Sequence, residues 1–324
     1  MASKGEKQGL IRLLNCGSFP AMAPGLKLST VEDSMIHRTF CLLLILVWVG
    51  ACAETIPPVQ EELSSKTMPA FDGRFSSFQN PISLEYRPVA MKLAAQLAVH
   101  TNVRDKDELF TGEVSGLLKV SPAGESLLWE FKVDQAVLGE EKISSGQTPL
   151  MEFRARRDKL GATKEVDIAP VGMKVSTPEE KRLFQEVRSL LGPQFRSFSA
   201  SLPASPVQEG NLILETDMNA VLLTYEKLWG SPRCSPAKEK IGYWVRGLGS
   251  VKGRKVIVAV MEEDFTCAAR NERRYNFGLH GYALVDTETG QILEHKTMTT
   301  VKSFYSFDSI EVRTLQKVSA EVIE

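Results

Sequence analysis

The chain has 324 residues, 39 basic against 40 acidic side chains, and a formal net charge of −1. Such a balance gives no reason to expect a nucleic-acid partner. A hydrophobic fraction of 43% is enough to build a core and excludes a wholly disordered chain.

Residues 1–34 carry Gly, Pro and Ser with scattered charge and precede an export signal that has its own methionine, Met35. They read as a mis-assigned start or a disordered leader. Residues 35–51 have the parts of a signal peptide: a basic head at His37 and Arg38, an apolar run from Phe40, and small residues before a cleavage point. The run is shorter than the roughly 20 residues a membrane-spanning helix needs. Its end, Val49-Gly50-Ala51-Cys52, resembles the lipobox of bacterial lipoproteins. The resemblance implies cleavage between Ala51 and Cys52, lipid on the Cys52 thiol and acylation of the new amino terminus. Two or more acyl chains anchor a protein stably. Ala53 after the cysteine implies sorting to the periplasmic face of the outer membrane. The plainer alternative is an ordinary secretory signal cut near Ala51 or Ala53. Loss of residues 1–51 removes Lys4, Lys7, Arg12, Lys27 and Arg38 against Glu6, Glu32 and Asp33, leaving a charge of about −3.

Residues 52–84 are rich in Pro, Ser and Glu and read as a flexible tether, with a reach of about 30 Å. The remainder, 85–324, reads as a β-rich globular domain, divisible into lobes at about 85–175 and 176–324. At its start, Met91, Leu93, Ala94, Leu97 and Ala98 make a loose stripe that favours a helix over Tyr86 to His100, with a first strand as the alternative. Trp129, Phe131 and Val133 alternate with Glu130, Lys132 and Asp134, the pattern of a strand with one buried face. Further strands are expected at 113–120, 150–155, 166–171, 211–216, 220–228, 241–248, 255–261, 265–269, 275–286, 291–301 and 309–318. Thr177, Pro178 and Glu180 form a helix start, and Leu183, Phe184, Val187, Leu190 and Leu191 give it one apolar face up to Gly192. The Pro-rich stretch from Leu202 to Gly210 resembles one found in uncharacterised β-rich bacterial lipoproteins. The expected fold is mainly β: a curved antiparallel sheet or half-barrel of about ten to twelve strands with one or two covering helices. That outline is similar to the lipoprotein-carrier half-barrels of the bacterial envelope.

Two cysteines, Cys234 and Cys267, lie in the expected mature domain, and in an oxidising compartment they suggest a disulfide. Two unpaired buried thiols are the competing reading. His280 and His295 flank a hairpin near Asp286 and Glu294 and could face one another as a general base or metal pair; polar residues on solvated strands are the simpler account. Arg154, Arg156 and Arg157, and again Arg270, Arg273 and Arg274, are basic clusters that could contact anionic headgroups. Neither a serine-hydrolase elbow, a zinc-protease helix nor a phosphate-binding loop occurs, so no catalytic residue, cofactor or metal is assigned. Two functions follow. One is a non-enzymatic, membrane-anchored envelope lipoprotein binding an apolar ligand or another envelope protein. The other is an envelope hydrolase using His280, His295 and Asp286.

Overall fold

A computed structural model describes residues 69–71, 73–103, 106–138, 141–144, 149–171, 177–178, 181, 201–217, 233–235, 240–268, 274–305 and 308–323. All of them belong to one compact unit. Every strand among the described residues belongs to one antiparallel sheet of thirteen: β1 (Val89–Val103), β2 (Lys106–Ala123), β3 (Ser126–Leu138), β4 (Glu141–Ser144), β5 (Met151–Arg157), β6 (Thr163–Pro170), β7 (Leu212–Asp217), β8 (Arg233–Ser235), β9 (Lys240–Val251), β10 (Arg254–Ala268), β11 (Arg274–Asp286), β12 (Ile292–Tyr305) and β13 (Asp308–Ile323). Eleven follow the order β6-β5-β3-β2-β1-β13-β12-β11-β10-β9-β7, with β4 beside β3 and β8 beside β10. The sheet is not closed, which agrees with the half-barrel outline.

Most neighbours in this order are joined by short connections, and the tight ones have the chemistry they need. Lys252 and Gly253 both take positive φ (48° and 80°) between β9 and β10, the two-residue hairpin geometry that matches strand twist. Between β11 and β12, Asp286 is almost wholly buried. Its carboxylate accepts from the Thr289 N–H at 3.0 Å and from Arg254 Nη2 at 2.8 Å. The long-range exception is β1 with β13, which pair from Ala90–Ile323 to Val103–Ile310 and bring both ends of the domain into the middle of the sheet.

The register assigns each side chain to a face. Trp129, Phe131 and Val133 of β3, Leu93 and Ala95 of β1, Phe277 and Leu279 of β11, and Phe265 of β10 share the inner face and one continuous apolar core. Glu130, Lys132, Lys92, Glu262 and Asp264 lie on the outer face, the polar half of a period-2 pattern. Ala98, Met298 and Leu315 make a small apolar island there.

Two sequence expectations change, and a third is described only in part. The segment from Tyr86 to His100 is not a helix but mostly strand β1. Met91, Leu93, Ala95, Leu97 and Val99 are buried on one face, and two neighbouring strands satisfy its backbone. Periods of 2 and 3.6 overlap in an alanine-rich run, and the ladders decide between them. The strands expected at 255–261 and 265–269 are one, β10, running through Glu262-Glu263-Asp264 with Glu263 turned inward and 5% exposed. Of the helix expected from Thr177, Pro178 and Lys181 are helical, and the Lys181 N–H donates to the Thr177 carbonyl at 3.0 Å. The rest of it, and the strand expected at 220–228, lie outside the described residues.

The tether also ends earlier than expected. Ser76 bridges Leu248 and Ile82 bridges Val207. Phe71 packs 5.7 Å from Tyr282, and Leu84 is 2% exposed. Phe71 and residues 73–84 are therefore a strap laid on the sheet rather than free linker. The Leu84→Ala variant should lose about 2–5 kcal/mol of stability, read as a lower urea midpoint at unchanged slope; a value near zero would restore the tether.

Candidate functional site: a polar belt on the inner face

The inner face is apolar at both ends of the central strands and polar between them. Leu97, Val99, Phe110 and Val312 form one buried cluster, separate from the main core. Between the two lie His295, Thr297 and Thr299 of β12 and Thr314 and Gln316 of β13, brought side by side by the Thr297–Gln316 and Thr299–Thr314 pairs. Thr297 is buried, whereas His295, Thr299, Thr314 and Gln316 are half-buried, so solvent reaches the floor of the sheet at this belt.

A tyrosine from three strands away completes it. Tyr243 of β9 reaches His295 Nε2 at 2.5 Å and Thr297 Oγ1 at 2.6 Å, while Thr297 Oγ1 and His295 Nε2 are 2.9 Å apart. In a flat sheet β9 and β12 would be roughly 14 Å apart. The contact needs curvature and a low saddle between them, and the sequence supplies Ala259 on β10 with Gly281 and Ala283 on β11, all on the same face. At Gly281 a Cβ would sit 2.2 Å from the Lys296 carbonyl oxygen and 2.8 Å from Thr297 Cα, so no side chain fits there.

Burial pushes the His295 imidazole down to about 4 and the Tyr243 phenol up. At neutral pH both are uncharged, as a hydrogen-bonded pair inside an apolar face must be. Glu263 is a buried carboxylate on the same face, two strands from β12.

The hydrolase arrangement does not form. His280 pairs with Met298 and His295 with Ala283, which puts the two histidines on opposite faces, since one lies at an even and the other at an odd step of the same ladder. His280 instead meets Asp264 at 3.1 Å on the outer face. Asp286 holds the β11–β12 turn, and Glu294 accepts from the Tyr282 hydroxyl. The first basic cluster also divides. Arg154 is exposed and paired with Glu152 at 2.9 Å and Glu130 at 3.5 Å, a solvated arrangement of small energetic weight. Arg156 is exposed as well. Arg157, on the same face of β5 as Phe153 and Ala155, is fully buried with its guanidinium 5.0 Å from the Trp129 ring centre, and burial lowers it to about 10. It is a core residue, not a headgroup contact. Of the second cluster Arg274 is exposed at the start of β11, while Arg270 and Arg273 lie outside the described residues, as do Ala51 and Cys52. Cys267 is fully buried and Cys234 stands opposite it in the β8–β10 ladder.

Tyr243 and Thr297 were not singled out by sequence. Tyr243 and His295 are 52 residues apart, and nothing local announces the contact except the small residues that make room for it.

No family model and no curated protein matches this sequence. Among solved structures, a DUF1329 family protein from Desulfovibrio piger ATCC 29098 aligns over 70% of this chain and 85% of its own, at 7% identity and a TM-score of 0.17. A score that low carries no argument about fold or function.

The depressed His295 value has a direct consequence. The unfolded imidazole, near 6.5, takes up a proton before the folded one near 4. Stability therefore falls as pH drops from about 6.5 to about 4, by at most about 3 kcal/mol and by less for a half-buried ring. Urea midpoints at pH 7 and pH 4.5 should fall further for the natural protein than for His295→Gln. An equal fall in both would show that the ring is open to water.

Proposed function

We propose that this is a membrane-anchored, non-enzymatic envelope lipoprotein whose inner sheet face binds an apolar ligand. The observation that carries the binding reading is the half-buried belt of His295, Thr299, Thr314 and Gln316 set between buried apolar clusters on an unclosed sheet. A few polar groups set among apolar side chains are the usual composition of a small-molecule site. Against the hydrolase alternative stands the separation of His280, His295 and Asp286 onto different faces and roles.

The anchor rests on the lipobox-like Val49–Cys52 sequence. Among the described residues no helix is long and apolar enough to cross a membrane. A bridge between Cys234 and Cys267 belongs to the same reading. Directly opposed residues of antiparallel strands have Cα atoms about 4.5–5.5 Å apart, inside the range a disulfide requires.

The test is intact mass of protein purified from the membranes of a bacterial host, beside Cys52→Ser. A lipid-sized increment on the natural chain only, with a gain of about two daltons on reduction, is the expected result. A soluble, unmodified chain overturns the anchor. Binding is read separately with N-phenyl-1-naphthylamine, an uncharged dye that fluoresces in apolar sites; saturable enhancement supports the ligand reading and its absence rejects it.

A further inference from the structure

We propose that a concavity on the outer face, bordered by Asp264, Asn276, Thr300 and Lys302, binds a phosphoethanolamine group. Lys302, Thr300 and Asn276 take the phosphate and Asp264 takes the ammonium. The site lies on the other face of the sheet from the polar belt and does not depend on the apolar-ligand reading.

The first argument is space. About 280 Å³ opens here across β10 to β13, room for about nine waters at ~30 Å³ each. That is small beside the pockets of drug-sized ligands, so the ligand is small. The pairs Asp264–Gly278, Gly278–Thr300 and Thr300–Arg313 carry one row of outer-face positions across the four strands. Gly278 is the gap in that row. A Cβ there would sit 2.9 Å from Asp264 Oδ1 and 3.3 Å from His280 Nε2, so a side chain would enter the space these groups border.

The second argument is the set of donors on one side of the gap. Arg313 is buried, and its Nε donates to Glu311 at 2.7 Å. The same carboxylate oxygen meets the Lys302 ammonium at the longer distance of 3.4 Å. Lys302 has three N–H donors and is 43% exposed, so this contact fixes its position and leaves donors for a ligand. Asn276 stands opposite Lys302 in the β11–β12 ladder, and its amide oxygen accepts from the Thr266 hydroxyl at 3.1 Å. Its NH₂ is left as a donor, and Thr300 adds a hydroxyl. An ammonium, an amide and a hydroxyl around one spot suit an anionic oxygen.

The third argument is charge. Asp264 faces these donors across Gly278; it is 75% exposed, and His280 Nε2 meets its Oδ1 at 3.1 Å. A plain phosphate or carboxylate bound at Lys302 would be repelled by Asp264. An ammonium on the same ligand turns that contact into attraction. Asp264 and Thr300 are two strands apart, about 9.5 Å at the backbone. The two-carbon spacer of phosphoethanolamine lets its ends reach both sides, whereas the single carbon of an α-amino acid holds its charges closer together.

The experiment titrates O-phosphoethanolamine, and ethyl phosphate, which lacks the ammonium, into the purified full-length protein, followed by NMR at the Gly278 and Thr300 amides. O-phosphoethanolamine should shift both amides and bind about fivefold more tightly than ethyl phosphate, the upper range for one partly exposed ion pair. Asp264→Asn should remove that preference, and Lys302→Ala should weaken both ligands about fivefold. Both side chains are open to solvent, so neither change disturbs the core. No shift at these amides, equal affinity of the two ligands for the natural protein, or an undiminished preference in Asp264→Asn overturns the proposal. Dihexanoylphosphatidylethanolamine separates the two sources of the group: tighter binding than O-phosphoethanolamine assigns it to a lipid headgroup, and weaker binding assigns it to the free phosphate ester.

Discussion

The β1–β13 ladder is the constraint on which the sheet depends. It pairs the first strand of the domain with the last, from Ala90–Ile323 to Val103–Ile310. From it the sheet grows outward in two directions, through β2, β3, β5 and β6 on one side and through β12, β11, β10, β9 and β7 on the other. Each arm is built of antiparallel steps that need little chain closure. The central ladder is different, because more than two hundred residues separate its partners and the entropy of that closure is met only when the inner faces of both arms are buried together. The apolar core spans both arms for this reason, from Phe153 on β5 to Tyr243 on β9.

Burying polar groups on such a face costs free energy unless each finds a partner. Two arrangements in the core meet that requirement in different ways. Arg157 lies under Trp129, whose ring is in turn met edge-on by Tyr86 at 4.9 Å, so a cation is held by aromatic faces at one end of the sheet. Tyr243, His295 and Thr297 satisfy one another by hydrogen bonds near its middle. Of the second set only His295 is half-buried, while Tyr243 and Thr297 are buried.

The ends of the sheet path are β6 and β7, and exposed strand edges invite pairing with other chains. The strap from Phe71 to Leu84 lies close to one of these edges. It bridges β9 at Leu248 and the approach to β7 at Val207, and the Phe78 N–H donates to Glu209 at 2.8 Å. A segment whose composition reads as linker thus covers part of the sheet, because Phe71, Phe78, Ile82 and Leu84 fall at positions where the sheet offers apolar surface.

By itself the sequence determined the class of fold. Alternation such as Trp129, Phe131 and Val133 against Glu130, Lys132 and Asp134 allows one arrangement only, a strand with one face in the core, and the Asp286–Gly290 connection closes a hairpin wherever it stands. Those signals are local, because backbone period and turn chemistry act over a few residues. Tertiary structure decided what local signals could not. It made Met91–Val99 a strand by placing partners on both sides, set Arg157 against Trp129, put His280 and His295 on opposite faces, and brought Tyr243 to His295 across a saddle of Ala259, Gly281 and Ala283. Each of these depends on register and curvature summed over several strands, and no single stretch of chain carries that sum.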